Sequence, residues 1–199
     1  MPKLYVSPSS QENNTGPGGY VEEVVMNLIA DALCAKLPLY PAIAFMRNRR
    51  GNTYAGHIAE SDAFKPDIHL AIHSNAVNGK ARGCIVFCFN PSDLNSPSTQ
   101  LARILYKRVA DLTPTADKGI QAGTMAEVAT VKAKAVLIEI AFHDNPDDAA
   151  WIVNHVAEIA QALLLSLLDL WKIPYVIDPA EFTAMKGAIK QIKDIVSPF

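Results

Sequence analysis

The chain of 199 residues contains no run of lysine or arginine, and its formal net charge is -2. That balance excludes nucleic acid or an anionic membrane surface as the main partner, because both call for a dense basic stripe. Cysteine is scarce: Cys34, Cys84 and Cys88 are too few for a disulfide framework, and an odd count leaves at least one thiol free. Cys84 and Cys88 fall in one predicted strand, Gly83 to Asn90, whose rise separates them by roughly 13 Å, beyond bonding reach. Folding in a reducing cytoplasm is the expectation. Long apolar runs are absent too, since the most apolar stretch, Ile159 to Leu168, is short and holds Gln161 and Ser166. Met1 to Ser10 lacks the basic start and apolar stretch of a secretory signal. The sequence therefore reads as a protein made in the cytoplasm without a signal peptide and without stable membrane insertion. Recognition must come from a site rather than from bulk charge.

Half of the residues are hydrophobic, enough for one sizeable core plus an appendage. Lys3 to Ser7 reads as a strand, followed by a polar loop from Ser7 to Gly19 rich in Gly, Pro, Asn and Ser. Glu22 to Leu37 places Val25, Leu28, Ile29, Leu33 and Leu37 on a helical stripe that Pro38 closes. Further strands are predicted at Ala42 to Met46, Ile68 to Ser74, Cys84 to Phe89, near Ile120, and at Ala135 to Phe142. Helices are predicted at Tyr54 to Phe64, Gln100 to Leu112, a turn near Met125 to Val131, and one long helix from Pro146 to Trp171. Strands alternating with helices predict a three-layer α/β sandwich, with a twisted, largely parallel mixed sheet of about six strands and helices on both faces. Residues 1–172 form the main domain. Residues 173–199 read as a linker and an amphipathic helix, Pro179 to Val196, whose Phe182, Met185, Ile189, Ile192 and Val196 oppose Lys186, Lys190 and Lys193. Docking on the parent domain, self-association, or a stub to another module are the readings of that stripe.

Two strands end in hydrophilic groups, Ile68 to Ala76 and Ala135 to Asn145. A lone ionised carboxylate among aliphatic residues costs several kcal/mol or loses its charge, so Glu139 needs a partner or a task. In open α/β sheets the task sits at the carboxyl ends of strands, where His73 and Glu139 both emerge. His69 and His73 share a strand face roughly 13 Å apart, too far to hold one ion, so only one of them is expected to bind metal. His73 is better placed, beside Ser74 and Asn75. Glu22 and Glu23 open the first helix. They serve either as partners of the helix dipole or, one of them, as a side chain projecting over the strand ends toward His73. Together these residues suggest a metal-assisted hydrolase, in which a carboxylate takes the proton of an activated water.

The residues also resemble a known family, the zinc-dependent N-acetylmuramoyl-L-alanine amidases of cell-wall turnover and phage lysis. The resemblance runs from about Leu4 to Trp171. It is carried by Glu23-Val24-Val25-Met26-Asn27-Leu28, by Ala71-Ile72-His73-Ser74-Asn75-Ala76 with Arg82-Gly83 after it, and by Val136 to Asn145. The resemblance implies one zinc ion held by Glu23 and His73, with Glu139 as the catalytic carboxylate. The family's first ligand is a histidine in a loop after the first strand, where this chain has Ser7-Pro8-Ser9-Ser10-Gln11-Glu12-Asn13. Gln11 is the expected stand-in, with Glu12 as the alternative, although a neutral amide is a poorer zinc donor than imidazole. Asn75 and Arg82 are expected to contact substrate. The implied activity is cleavage of the amide bond between N-acetylmuramic acid and L-alanine in peptidoglycan, as in a phage or prophage endolysin delivered by a permeabilising partner. The competing readings are an inactive amidase-like wall-binding module and a zinc peptidase that cuts within the stem peptide.

Overall fold

A computed structural model describes residues 1–115 and 118–177, with Thr183 and Lys186. The predicted Pro179 to Val196 helix lies, apart from those two residues, outside the described residues. The chain opens with β1 (Lys3–Pro8), then a small antiparallel hairpin of β2 (Thr15–Gly16) and β3 (Tyr20–Val21), which runs directly into α1 (Glu22–Lys36). Then follow β4 (Ala44–Arg47), α2 (Tyr54–Phe64), β5 (Ile68–Asn75), β6 (Ile85–Cys88) and α3 (Pro97–Ala110). The described chain finishes with β7 (Gly119–Ala122), α4 (Ala126–Ala129), β8 (Lys134–Phe142), α5 (Pro146–Asn154) and α6 (Val156–Trp171).

Six strands form one sheet in the order β4-β1-β5-β8-β6-β7. Strands β4, β1, β5 and β8 are parallel, β6 runs antiparallel to β8, and β7 is parallel to β6. The predicted mixed, largely parallel sheet is therefore what forms. The strand period of two divides the residues between its faces. Leu4, Val6, Leu70, Ile72, Val136, Ile138 and Ile140 face α1, α3 and α6 in the main core, where all are fully buried. Burial of each such side chain contributes about 1.5–3 kcal/mol. The alternate residues, Tyr5, Ser7, His69, Ala71, His73, Leu137 and Glu139, turn to the other face. There α2 packs on β1 and α4 on β8, and a small apolar cluster of Ala71, Val128 and Leu137 supports the polar ones.

The predicted single helix from Pro146 to Trp171 is instead two, bent by 73° at His155. The His155 ring bonds the Trp151 carbonyl at 2.8 Å and stacks on the Trp151 ring, so its side chain caps a carbonyl that a continuing helix would have bonded through the backbone. Among the described residues no single helix is long and apolar enough to cross a membrane.

Candidate active site

The carboxyl ends of β5 and β8 lie side by side, and their register pairs His73 with Glu139. Both side chains face a cleft of about 580 Å³ lined by Ser10, Gln11, Asn52, Thr53, Tyr54, Met125 and Leu137 as well. The loop after β1 closes one wall and the segment before α2 another. The site thus stands where β1 sends the chain toward β4 on one side while β5 lies on the other, a switch point of the sheet.

Glu22 reaches the same place from the first turn of α1. Its Oε1 lies 2.9 Å from His73 Nδ1, and its Oε2 accepts from Asn14 Nδ2 at 2.7 Å. Glu22 is fully buried whereas Glu23 is only partly so. The assignment of Glu23 to the site is therefore corrected to Glu22, because one residue turns a helix by about 100° and only one of two adjacent side chains can point at His73. Gln11 lies beside His73: its amide nitrogen is 3.3 Å from His73 Nδ1, and its Oε1 accepts from Asn14 Nδ2 at 2.8 Å. Glu12 is exposed.

Asn75 and Arg82 do not line the cleft. The Asn75 Oδ1 accepts from the backbone N–H of Ala76 at 2.8 Å. Arg82 donates through Nε to the buried Asp148 at 2.7 Å and through Nη1 to Asp147 at 2.9 Å. Its guanidinium is engaged in holding the loop after β5 to the start of α5, which corrects its expected placement beside substrate.

Glu127, in the short helix α4, was not among the expected site residues. It is 1% exposed. Its Oε1 accepts from the Ser7 hydroxyl and from His69 Nε2 at 3.1 Å, and its Oε2 accepts from His73 Nε2 at 3.1 Å. A single carboxylate thus joins the two histidines that β5 keeps apart. The signal was present in the sequence, a lone acid among Met125, Ala126, Val128 and Ala129, the same pattern that singled out Glu139.

The electrostatics divide the three acids. Burial works to raise the Glu127 carboxyl, but hydrogen bonds from His69 and His73, and their charge, outweigh it and hold Glu127 far below the usual range. Burial opposes ionisation of Glu22 as well, and the His73 bond and charge, with bonds from Asn14 and Ser9, hold it low. His73 loses hydration, yet its bonds to Glu127 and Glu22 raise it to about 10. Glu139 goes the other way. Burial raises it to about 7, with the nearby Glu22 charge adding to that rise and His73 opposing it, and its Oε2 is buried without a protein hydrogen-bond partner.

Among the described residues no three His, Cys, Asp or Glu side chains group as a metal-holding set. The donors that do converge are the Glu22 carboxylate, the His73 imidazole and the Gln11 amide. A carboxylate and an imidazole suit a borderline divalent ion such as zinc; the Gln11 amide, whose oxygen here accepts from Asn14, is the weakest of the three donors.

The model of the N-acetylmuramoyl-L-alanine amidase family matches residues 8–169. The chain belongs to that family. An uncharacterised cell wall amidase of Bacillus anthracis is 29% identical over 115 residues, which is 54% of this chain and 22% of the relative. The chain thus spans about a fifth of the length of that curated relative. Among solved structures, the amidase AmiC2 of Nostoc punctiforme superposes with a TM-score of 0.76 at 15% identity, covering 86% of this chain and 97% of its own. The catalytic domain of the amidase CwlV from Bacillus (Paenibacillus) polymyxa var. colistinus also gives 0.76, at 17% identity, covering 87% of this chain and 100% of its own. At such identities the superpositions establish the amidase fold.

Proposed function

We propose that this amidase-family chain hydrolyses the amide bond between the lactyl group of N-acetylmuramic acid and L-alanine in peptidoglycan, using one zinc ion held by Gln11, Glu22 and His73. The observation that carries the reading is that Gln11, His73 and Glu139 line one cleft, with Glu22 buried behind it 2.9 Å from His73 Nδ1 and the Glu139 Oε2 without a protein partner. When bound, the ion supplies Lewis acidity to the scissile carbonyl and to the attacking water. Gln11, Glu22 and His73 would hold it, Gln11 through an amide oxygen that in the metal-free protein accepts from Asn14. Glu139 takes the water proton as the oxygen adds to the carbonyl carbon. It returns that proton to the alanine nitrogen as the C–N bond breaks, leaving a lactyl carboxyl group and a free amine. A carboxyl raised to about 7 suits both halves of this exchange near neutral pH.

Purified protein supplied with zinc should release peptides with N-terminal L-alanine from sacculi, and Glu139→Gln should abolish the release while leaving the fold intact. Glu22→Gln should lower zinc affinity and activity together, whereas Glu23→Gln should leave both near wild type. Release of peptides with another N-terminus would mark a peptidase instead. A single observation favours the binding-module reading, the absence of a third His, Cys, Asp or Glu donor among the described residues. If wild-type protein and Glu139→Gln bind sacculi equally and neither releases peptide, that reading replaces the catalytic one. The endolysin form of the proposal rests on the family resemblance, and it requires that added protein lyse cells whose envelope has been permeabilised.

A further inference from the structure

We propose that Glu127 is the positioning residue of this metal centre: by accepting the Nε2–H of His73 it fixes the tautomer and aims the Nδ1 lone pair at the ion. The inference rests on the reading of Gln11, Glu22 and His73 as the metal-binding set. A neutral imidazole offers a lone pair at one nitrogen only while the other carries the proton. The two nitrogens of His73 face different groups. Nδ1 lies 2.9 Å from Glu22 Oε1 and 3.3 Å from the Gln11 amide nitrogen, while Nε2 lies 3.1 Å from Glu127 Oε2. A carboxylate accepts and does not donate, and both nitrogens face one, so His73 carries both protons while the ion is absent. An ion held by Glu22 would displace the proton on Nδ1, and the proton kept on Nε2 is the one Glu127 accepts.

The acceptor is itself immobilised. The Glu127 Oε1 takes the Ser7 hydroxyl and His69 Nε2, and the Tyr54 hydroxyl accepts its backbone N–H at 3.2 Å. Ser61 in α2 bonds His69 Nδ1 at 2.9 Å, so His69 presents its donor to Glu127. Ser7, Ser61 and His69 are all fully buried. Ser7 from β1 and His69 from β5 therefore hold one oxygen of the carboxylate, with Ser61 from α2 acting through His69, and the other oxygen faces His73. This gives His69 a role that does not involve touching the ion: it orients Glu127.

The test is a zinc titration read by a competing chromophoric chelator, with nitrogen-resolved NMR of histidine-labelled protein. In the zinc-loaded wild type, His73 should show a protonated Nε2 and a metal-shifted Nδ1. Glu127→Gln should bind zinc about 10–100-fold more weakly, the usual loss when the partner of a ligating histidine is removed. His69→Gln, which alters one partner of the other Glu127 oxygen, should weaken zinc binding by clearly less than Glu127→Gln does. Zinc on Nε2 in the wild type would overturn the proposal, as would wild-type affinity in Glu127→Gln or equal affinity losses in the two variants. Should Glu127→Gln not fold, the wild-type tautomer decides alone. A wild-type protein that binds no zinc defeats the metal reading and this inference with it, whereas zinc binding that ignores Glu127 defeats this inference only.

Discussion

Glu139 is held where its charge is costly and its proton is useful. Its carboxyl is raised to about 7, mainly by burial, while an unfolded chain restores the ordinary value near 4.5. Between those values the folded state binds the proton that the unfolded state has released, so stability falls as pH rises through this window. Below pH 4.5 both states are protonated and no cost remains. Above pH 7 the full cost is present. Glu139→Gln should therefore stabilise the zinc-free protein at pH 8 by on the order of 2 kcal/mol and have little effect at pH 4, measured by chemical unfolding with a chelator present. A gain that is the same at both values would show that something other than ionisation is responsible. The same chemistry explains what the sequence could tell at this scale. Glu139 was legible because a charged residue interrupts a strand that is otherwise aliphatic. Glu22 and Glu23 were not separable, since their distinction lies in the phase at which β3 hands the chain to α1. Glu127 was missed because it sits in a four-residue helix with too little periodicity to reveal which way its side chain points.

At the level of elements, the strand ends depend on what is fastened behind them. Asp148, in the first turn of α5, is fully buried and accepts from the backbone N–H of Gly83 at 3.0 Å and of Phe142 at 3.2 Å, besides Arg82 Nε. Asn145 caps the same helix by accepting from Asp147 and Asp148 N–H. The loop after β5 and the end of β8 are thereby joined through one carboxylate. Nearby, Gly16 lies so close to the His143 carbonyl that a Cβ would come within 2.0 Å of its oxygen, which ties the hairpin before α1 to the same strand end. Arg82→Ala leaves Asp148 with two backbone donors but no counter-charge, and should cost about 2–3 kcal/mol in chemical unfolding. At a temperature where the variant is folded, its KM for solubilised muropeptide substrate should stay near wild type. A raised KM without a stability loss would return Arg82 to the substrate-binding role that its sequence position suggested. The elements themselves were largely legible, because apolar periodicity and proline mark them. The break at His155 was not, because it depends on a ring bonding a carbonyl one turn back, which no periodicity records.

For the whole molecule, the sheet divides labour between its faces. One carries the main apolar core with α1, α3 and α6, and the other carries the polar residues that β1, β5 and β8 place in successive registers. The alternation along Ile68-His69-Leu70-Ala71-Ile72-His73 made that division readable, although which face stayed open depended on how small a layer α2 and α4 provide. The three proposed zinc donors come from the loop after β1, the start of α1 and the end of β5, separated by up to 62 residues of sequence between Gln11 and His73. An unfolded chain holds such donors far apart, so zinc should bind the native state almost exclusively and stabilise it by mass action. At a free zinc concentration of about 100 times Kd the gain is about 2.7 kcal/mol. For a chain of this size that corresponds to a rise in Tm of roughly 5–10 °C. The rise should disappear on adding a chelator, shrink in Gln11→Ala, and be absent in His73→Ala. Gln11→Ala should shrink it far more than Glu12→Ala does, because both residues are exposed on the loop but the Gln11 amide lies against His73. The opposite order, measured by calorimetry at matched free zinc, would move the third donor to Glu12 and require the loop after β1 to turn over on metal binding.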